Sequence, residues 1–306
     1  MSPEKTMAAV GRAASATLAD AGWAEEAFRA APPAPAGSAR VGIRVGPLTL
    51  GCETPEEGFA APLVERYAPF RWDGPCDWTV SLRRAPDIDM TRFPDIRVWS
   101  DSARGIHWVF RWDFVARLEP ARRRGEMLLT SLAGFGCADT ALRMAASFAA
   151  LEAGGALMHG AAVVSRRGGF LFSGVSGQGK STVGKLSGAS GRDVLTDEIA
   201  LLVRDSGGWT LGGTPFWGEL GLSVNRAAPL RGILLLHQGP AHAVKPVGAG
   251  EAVPALLQTV MCFGHDADTL ARTMDLGLEL VSGVPVRRLE FLPDAGFWDE
   301  VDRAWA

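Results

Sequence analysis

Gly174, Gly179, Lys180 and Ser181 carry the spacing G-x-x-x-x-G-K-S/T of a phosphate-binding loop. Glycines at 174, 177 and 179 open backbone angles closed to other residues, so successive N–H groups can turn inward on an anion. The preceding Gly169–Ser173 (GFLFS) is a short apolar run suited to a strand buried on both faces. A helix beginning near Lys180 would aim the positive end of its dipole at the same place. Lys180 could then reach the terminal phosphates and the Ser181 hydroxyl could ligate Mg²⁺. The competing explanation is a chance match, since 37 of the 306 residues are Gly; the strand-like and helix-like flanks favour the loop.

Downstream, Asp193–Val203 (DVLTDEIALLV) reads as a second buried strand with Asp197 and Glu198 at its end. Carboxylates are costly to bury alone, and an acid on Mg²⁺ is the usual complement of a phosphate loop. The alternative is a pair of acids in a solvated turn. Upstream, His159-Gly160 stands between a helical segment and the strand feeding the loop. It can be read equally as structural or catalytic.

The elements that must position these residues follow from the patterning. Met7–Ala30 is an Ala-rich helix candidate, loosely attached by default and followed by a Pro-rich connector, APPAPAG. From Arg40 to Leu129 several segments alternate apolar and polar residues, which predicts a mostly antiparallel β domain with a short helical insertion at Pro62–Tyr67. Trp72, Trp78, Trp99, Trp108 and Trp112 are core candidates, with a ligand-stacking platform as the alternative. Arg122–Arg124 reads as a solvated turn. Asp139–Ala153 is a helix stopped by Gly154-Gly155, placing the domain boundary near residue 140. Beyond the acid pair come a strand at Gly208–Leu211, a loop at Thr214–Glu219 (TPFWGE) and an apolar strand at Gly232–His237. Helices at Val253–Phe263 and Asp266–Val281, a strand at Val284–Phe291 and a closing helix at Pro293–Trp305 complete the chain. Glu219 is a weak substrate-side candidate. His237, His242 and His265 lack ligand-like spacing.

Length allows two domains, and 47% hydrophobic with 21% charged residues is ordinary for a globular protein. A net charge of −3 gives no reason to expect nucleic acid binding. The four cysteines form no C-x-x-C pair, which argues against zinc and a disulfide framework. No membrane span or signal pattern is evident, so a cytoplasmic location is expected.

The order H-G, then G-x-S-G-x-G-K-S-T, then an acidic pair resembles the C-terminal domain of HPr kinase/phosphorylase, a domain related to ATP-dependent phosphoenolpyruvate carboxykinase. The likeness runs from roughly Gly154 to Ile233. It implies an α/β P-loop kinase domain at 139–306, behind a β-rich α+β domain at 39–138 and an N-terminal helix and connector at 1–38. It further implies that Gly174, Val175, Ser176, Gly177, Gln178, Gly179, Lys180, Ser181 and Thr182 hold the ATP phosphates, with Ser181 and Glu198 near Mg²⁺. Asp197 matches the general base acting on the acceptor serine, His159 the histidine close to the phosphates, and Arg231 the active-site arginine of an R-G pair. Val175 stands where the family has Asp, Glu198 replaces the second Asp of its pair, and Pro229 replaces an acid. The first and third departures argue against HPr as substrate and against phosphorolysis. The chain therefore looks most like HPr-kinase-like proteins found beside peptide-modification genes. Relatives of the HPr kinase type are often hexameric, so homo-oligomerisation is a further implication.

The resulting expectation is transfer of the γ-phosphoryl of ATP to a serine of a peptide or small protein, with substrate selection in the β-rich domain. Two alternatives stay open: a kinase of small-molecule hydroxyls, such as an amino acid or sugar, and a protein that senses ATP without turning it over.

Overall fold

The computed structural model describes residues 14–33, 38–54, 57–175 and 177–306. The expected helical residues 7–13, part of the Pro-rich connector (34–37) and Ser176 lie outside the described residues. The chain divides into two compact units. One runs up to Ala149 and regains Cys262–Ala271; the other holds Ala150–Met261 and Arg272–Ala306.

The first unit contains β1 (Ala14–Ser15), α1 (Leu18–Ala30), β2 (Ala39–Val45), β3 (Leu48–Thr54) and α2 (Glu57–Arg66). It continues with β4 (Trp78–Arg84), β5 (Arg97–Asp101), β6 (Ile106–Arg111), β7 (Phe114–Glu119) and β8 (Arg124–Leu129). The sheet order is β1-β5-β6-β7-β8-β4-β3-β2. It is mixed rather than mostly antiparallel: β3 pairs in parallel with β4, β4 with β8, and β1 with β5. The helical crossover through α2 is what permits the β3–β4 pairing, since a tight hairpin can join only antiparallel neighbours.

The helix expected over Met7–Ala30 begins at Leu18, with Ala14–Ser15 pairing as strand β1 instead, and it is not loosely attached. Thr17 and Asp20 form a capping box at its start, and Ala21, Ala24 and Phe28, at helical spacing, are buried in a core with Trp108 and Phe110. Trp78 and Trp108 are fully buried, so the core accounts for them, while Trp112 is exposed. The turn at Arg122–Arg124 is tied to Glu119 by Arg122 and Arg124. The four cysteines form no disulfide. Burial pushes the Cys52 and Cys137 thiols up to about 12, which removes both as nucleophiles near neutral pH.

Helix α3 (Gly136–Glu152) starts close to its expected position. The division between units falls after Ala149, inside this helix, rather than near residue 140. The second unit then contains β9 (Ala156–Ser165), β10 (Gly168–Ser173), α4 (Lys180–Ala189), β11 (Asp193–Thr196), β12 (Ile199–Asp205) and β13 (Gly208–Gly212). After them come β14 (Ala227–Gln238), β15 (Ala243–Pro246), α5 (Ala249–Leu257), α6 (Ala267–Gly283), β16 (Val286–Phe291) and α7 (Phe297–Ala304). The strand order is β10-β9-β12-β13-β14-β16-β15, with β11 on β9. Because β14 also pairs with β10, the sheet curls back on itself.

Three central strands, β10, β14 and β16, are parallel, and β10 and the Gly232–Leu236 run of β14 are apolar on both faces, as helices on both sides require. Leu171, Ile233 and Leu235 bury with Leu256 of α5 and Leu280 of α6. Their neighbours Phe170, Phe172, Leu234 and Leu236 bury with Val183 of α4 and Trp298 of α7. That is the period-two alternation of a strand sandwiched between layers.

Two expected elements differ. Asp193–Val203 is not one strand: it breaks at Asp197–Glu198 into β11 and β12. The expected helix 253–263 instead ends at Leu257, because the following residues are drawn onto β9. His159 N donates to Thr259 O at 2.7 Å and Met261 N to Leu157 O at 2.8 Å. Among the described residues no helix is long and apolar enough to cross a membrane. Phe172 is fully buried and meets Phe297 and Trp298 edge-on. Phe172→Ala should therefore cost about 3–5 kcal/mol of stability, measured by chemical denaturation.

Candidate functional site

Strand β10 ends at Ser173, and α4 begins seven residues later at Lys180. Between them Gly177 and Gly179 adopt φ of +84° and +98°, left-handed values that glycine takes without strain. Gly179 also faces the Phe291 ring, where a Cβ would stand 2.7 Å from Cζ. Gln238, at the end of β14, donates to Gly177 O at 3.1 Å. Within the loop, Val175 N donates to Gln178 Oε1 at 2.8 Å. Lys180 Nζ folds back onto Gly174 O at 2.9 Å and Val175 O at 3.2 Å. The result is a compact turn at a helix N-terminus with a lysine held inside it, the arrangement that binds phosphate through backbone amides and dipole.

Strand β9 brings the other candidates to this turn. It runs antiparallel to β10, pairing Gly160 with Ser173. Along its other edge lie β11, with Thr196 opposite Ala162, and β12, with Ile199 opposite His159. The interruption between β11 and β12 is the Asp197–Glu198 pair, and Gly160 N donates to Glu198 O at 3.1 Å. His159 Nδ1 stands 3.6 Å from Glu198 Oε1, both side chains about a third exposed at 39% and 33%. Thr259 braces the row from behind: its Oγ1 lies 2.9 Å from Ser173 Oγ.

Asp197 differs sharply from its neighbour. It is 1% exposed, and its Cβ lies 3.5 Å from where a Cβ on Gly184 would be, one turn into α4 from Lys180. Its Oδ2 accepts from Leu220 N at 3.0 Å. Its Oδ1 is buried and has no hydrogen-bond partner among the described residues. A buried carboxylate oxygen without a donor is costly, so this atom is suited to receive a proton donor or a cation. No cluster of three or more His, Cys, Asp or Glu side chains able to hold a metal occurs among the described residues. Mg²⁺ in phosphoryl transfer needs only one or two carboxylates beside phosphate oxygens and water, and the residues expected to hold it, Ser181 and Glu198, offer one hydroxyl and one carboxylate.

Arg231 is not part of this constellation. It follows Leu230, which pairs with Gly169 at the start of β10, and its Cγ lies 2.3 Å from where a Cβ on Gly168 would be. The loop leaves the opposite end of β10, about 13 Å further along the strand. The expectation of an active-site arginine here is corrected: Arg231 belongs to the far end of the sheet, where its carbonyl accepts from Trp305 Nε1 at 3.0 Å. Glu219 is exposed and faces Lys185 at 3.8 Å. Sequence reasoning missed Gln238, Phe291, Thr259 and Leu220. The first two each end a strand running parallel to β10 or to its neighbour β14 and so arrive at the same sheet edge as the loop, a consequence of pairing that no local motif carries.

Gly218 packs directly on the Asp197 carboxylate, where a Cβ would meet all three terminal atoms at 2.7–2.8 Å. Gly218→Ala should destabilise the protein by about 1–3 kcal/mol through this overlap. Gly250→Ala, on α5 with nothing within 4 Å of the added Cβ, should not destabilise it; denaturant titration of both compares them. Set beside known proteins, the chain matches no family model and no curated protein.

Proposed function

We propose that this chain is an ATP- and Mg²⁺-dependent kinase with a catalytic unit of the HPr kinase/carboxykinase type. It acts in the cytoplasm and transfers the γ-phosphoryl group to a hydroxyl, most readily a serine of a peptide or small protein. The observation that carries the reading is Asp197 Oδ1, buried without a partner among the described residues beside the helix that starts at Lys180.

In this reading the amides around Gly177 and Gly179, with Lys180, hold the β- and γ-phosphates. On nucleotide binding Lys180 exchanges the carbonyls of Gly174 and Val175 for phosphate oxygens. Ser181 and Glu198 would hold Mg²⁺, which supplies positive charge to the phosphate oxygens as they take on charge in transfer. His159, facing Glu198, orients that carboxylate. The acceptor oxygen attacks the γ-phosphorus in line, a new O–P bond forms, the bond to the bridging oxygen breaks, and ADP leaves. The hydroxyl proton passes to Asp197. Sequestering the base in an apolar setting keeps water from competing for the phosphoryl group.

Asp197→Asn should abolish transfer, with turnover down by about 10²-fold or more, and leave ATP affinity nearly unchanged. Lys180→Ala should weaken ATP binding and transfer together. Calorimetric ATP titration and product formation from labelled ATP check both. Wild-type turnover in Asp197→Asn would remove Asp197 as base, and unchanged affinity in Lys180→Ala would remove Lys180 from the phosphate site.

A further inference from the structure

Residues 213–220, which join β13 to the approach of β14, form an arch pinned at both ends. Gly213 N donates to Arg226 O at 2.9 Å. Thr214 is buried, and its Oγ1 donates to Ile199 O at 2.6 Å. Phe216 is fully buried. At the other end Leu220 N holds Asp197 Oδ2, and the Leu220 side chain lies 3.1 Å from where a Cβ on Gly184 of α4 would be. Only the crown turns outward. Trp217 is 40% exposed, the only exposed Trp, Phe or Tyr of this unit among the described residues.

The position of that indole is informative. Its chain neighbour Gly218 covers the carboxylate proposed to accept the proton, so Trp217 is fixed beside the base by backbone, not by a mobile tether. Phe216 anchors the arch in the core. An exposed indole next to a buried acid combines apolar area with a rigid, low-entropy mount, the combination enriched at binding hot spots. Charge does not dominate the surroundings, because Glu219 and Lys185 face one another and offset each other. The apolar area the arch presents on this side is the Trp217 indole itself.

We propose that Trp217 is the residue that selects the acceptor, contacting an apolar or aromatic side chain adjacent to the acceptor serine of a peptide. This deepens the kinase reading and rests on it. It places selection on the catalytic unit itself rather than in the β-rich unit.

The test incubates the whole chain, ATP and Mg²⁺ with a synthetic library of serine peptides whose flanking residues are randomised. Phosphorylated members are identified by mass spectrometry for wild type, Trp217→Ala and Trp217→Phe. Wild type should favour apolar or aromatic flanking residues. Trp217→Ala should raise the acceptor KM about tenfold or more and flatten that preference, with the ATP dissociation constant unchanged; Trp217→Phe should retain most of it. Unchanged acceptor KM and preference in Trp217→Ala would overturn the role of Trp217 and leave the kinase reading standing. A wild-type preference for charged flanks would overturn the ligand class. Wild type that binds ATP and phosphorylates no member would overturn the kinase reading and this inference with it.

Discussion

The hydrogen bonding of β9 along both of its edges is the constraint on which the site depends. One edge takes β10 and so fixes where the glycine loop begins; the other takes β11 and β12 and so fixes where the acid pair sits. Ser173 of β10, Gly160 of β9 and Glu198 in the break between β11 and β12 consequently lie in one row, although they come from three separate segments of the chain. A one-residue slip of β9 would reverse which face each side chain occupies. Both apolar layers of the unit oppose such a slip: Met158 and Ala162 are buried in one, Ala161 and Val163 in the other.

The break between β11 and β12 gives two adjacent carboxylates different surroundings. Asp197 is driven inward against α4 and under Gly218, whereas Glu198 stays partly in water opposite His159. Burying a carboxylate with one oxygen unpartnered opposes folding, and the large cores on both faces of the sheet offset that cost. Strain and unmet polar groups gather where function needs them. In this unit the left-handed glycines of the loop, the buried Asp197 oxygen and the tight approach of Gly218 all fall within one neighbourhood.

Much of this was legible in the sequence, for physical reasons. The apolar run before Gly174, the glycine spacing and Lys180 are local features, and local geometry follows from residue type. The period-two alternation that assigns Phe170 and Phe172 to one face and Leu171 to the other is likewise local. What could not be read were the consequences of pairing between distant segments. The parallel register of β10 and β14 carries Gln238 to the loop and leaves Arg231 at the other end, which no motif in RGILLL reveals. The helix expected through Phe263 ends early because β9 recruits residues 259–261. The first unit is mixed because α2 lets β3 and β4 run in the same direction. The packing of α1 was hidden because an Ala-rich helix shows little contrast between its faces.

Phosphoryl transfer to a hydroxyl is tested most directly by mass spectrometry of acceptors after incubation with the protein, ATP and Mg²⁺. Peptides encoded beside the gene and a panel of hydroxyl metabolites would be offered together. The expected result is a gain of one phosphoryl group on a serine of a peptide, with ADP formed in equal amount. ATP bound tightly but neither consumed nor transferred, with every acceptor present, would contradict it and identify a nucleotide-sensing protein instead.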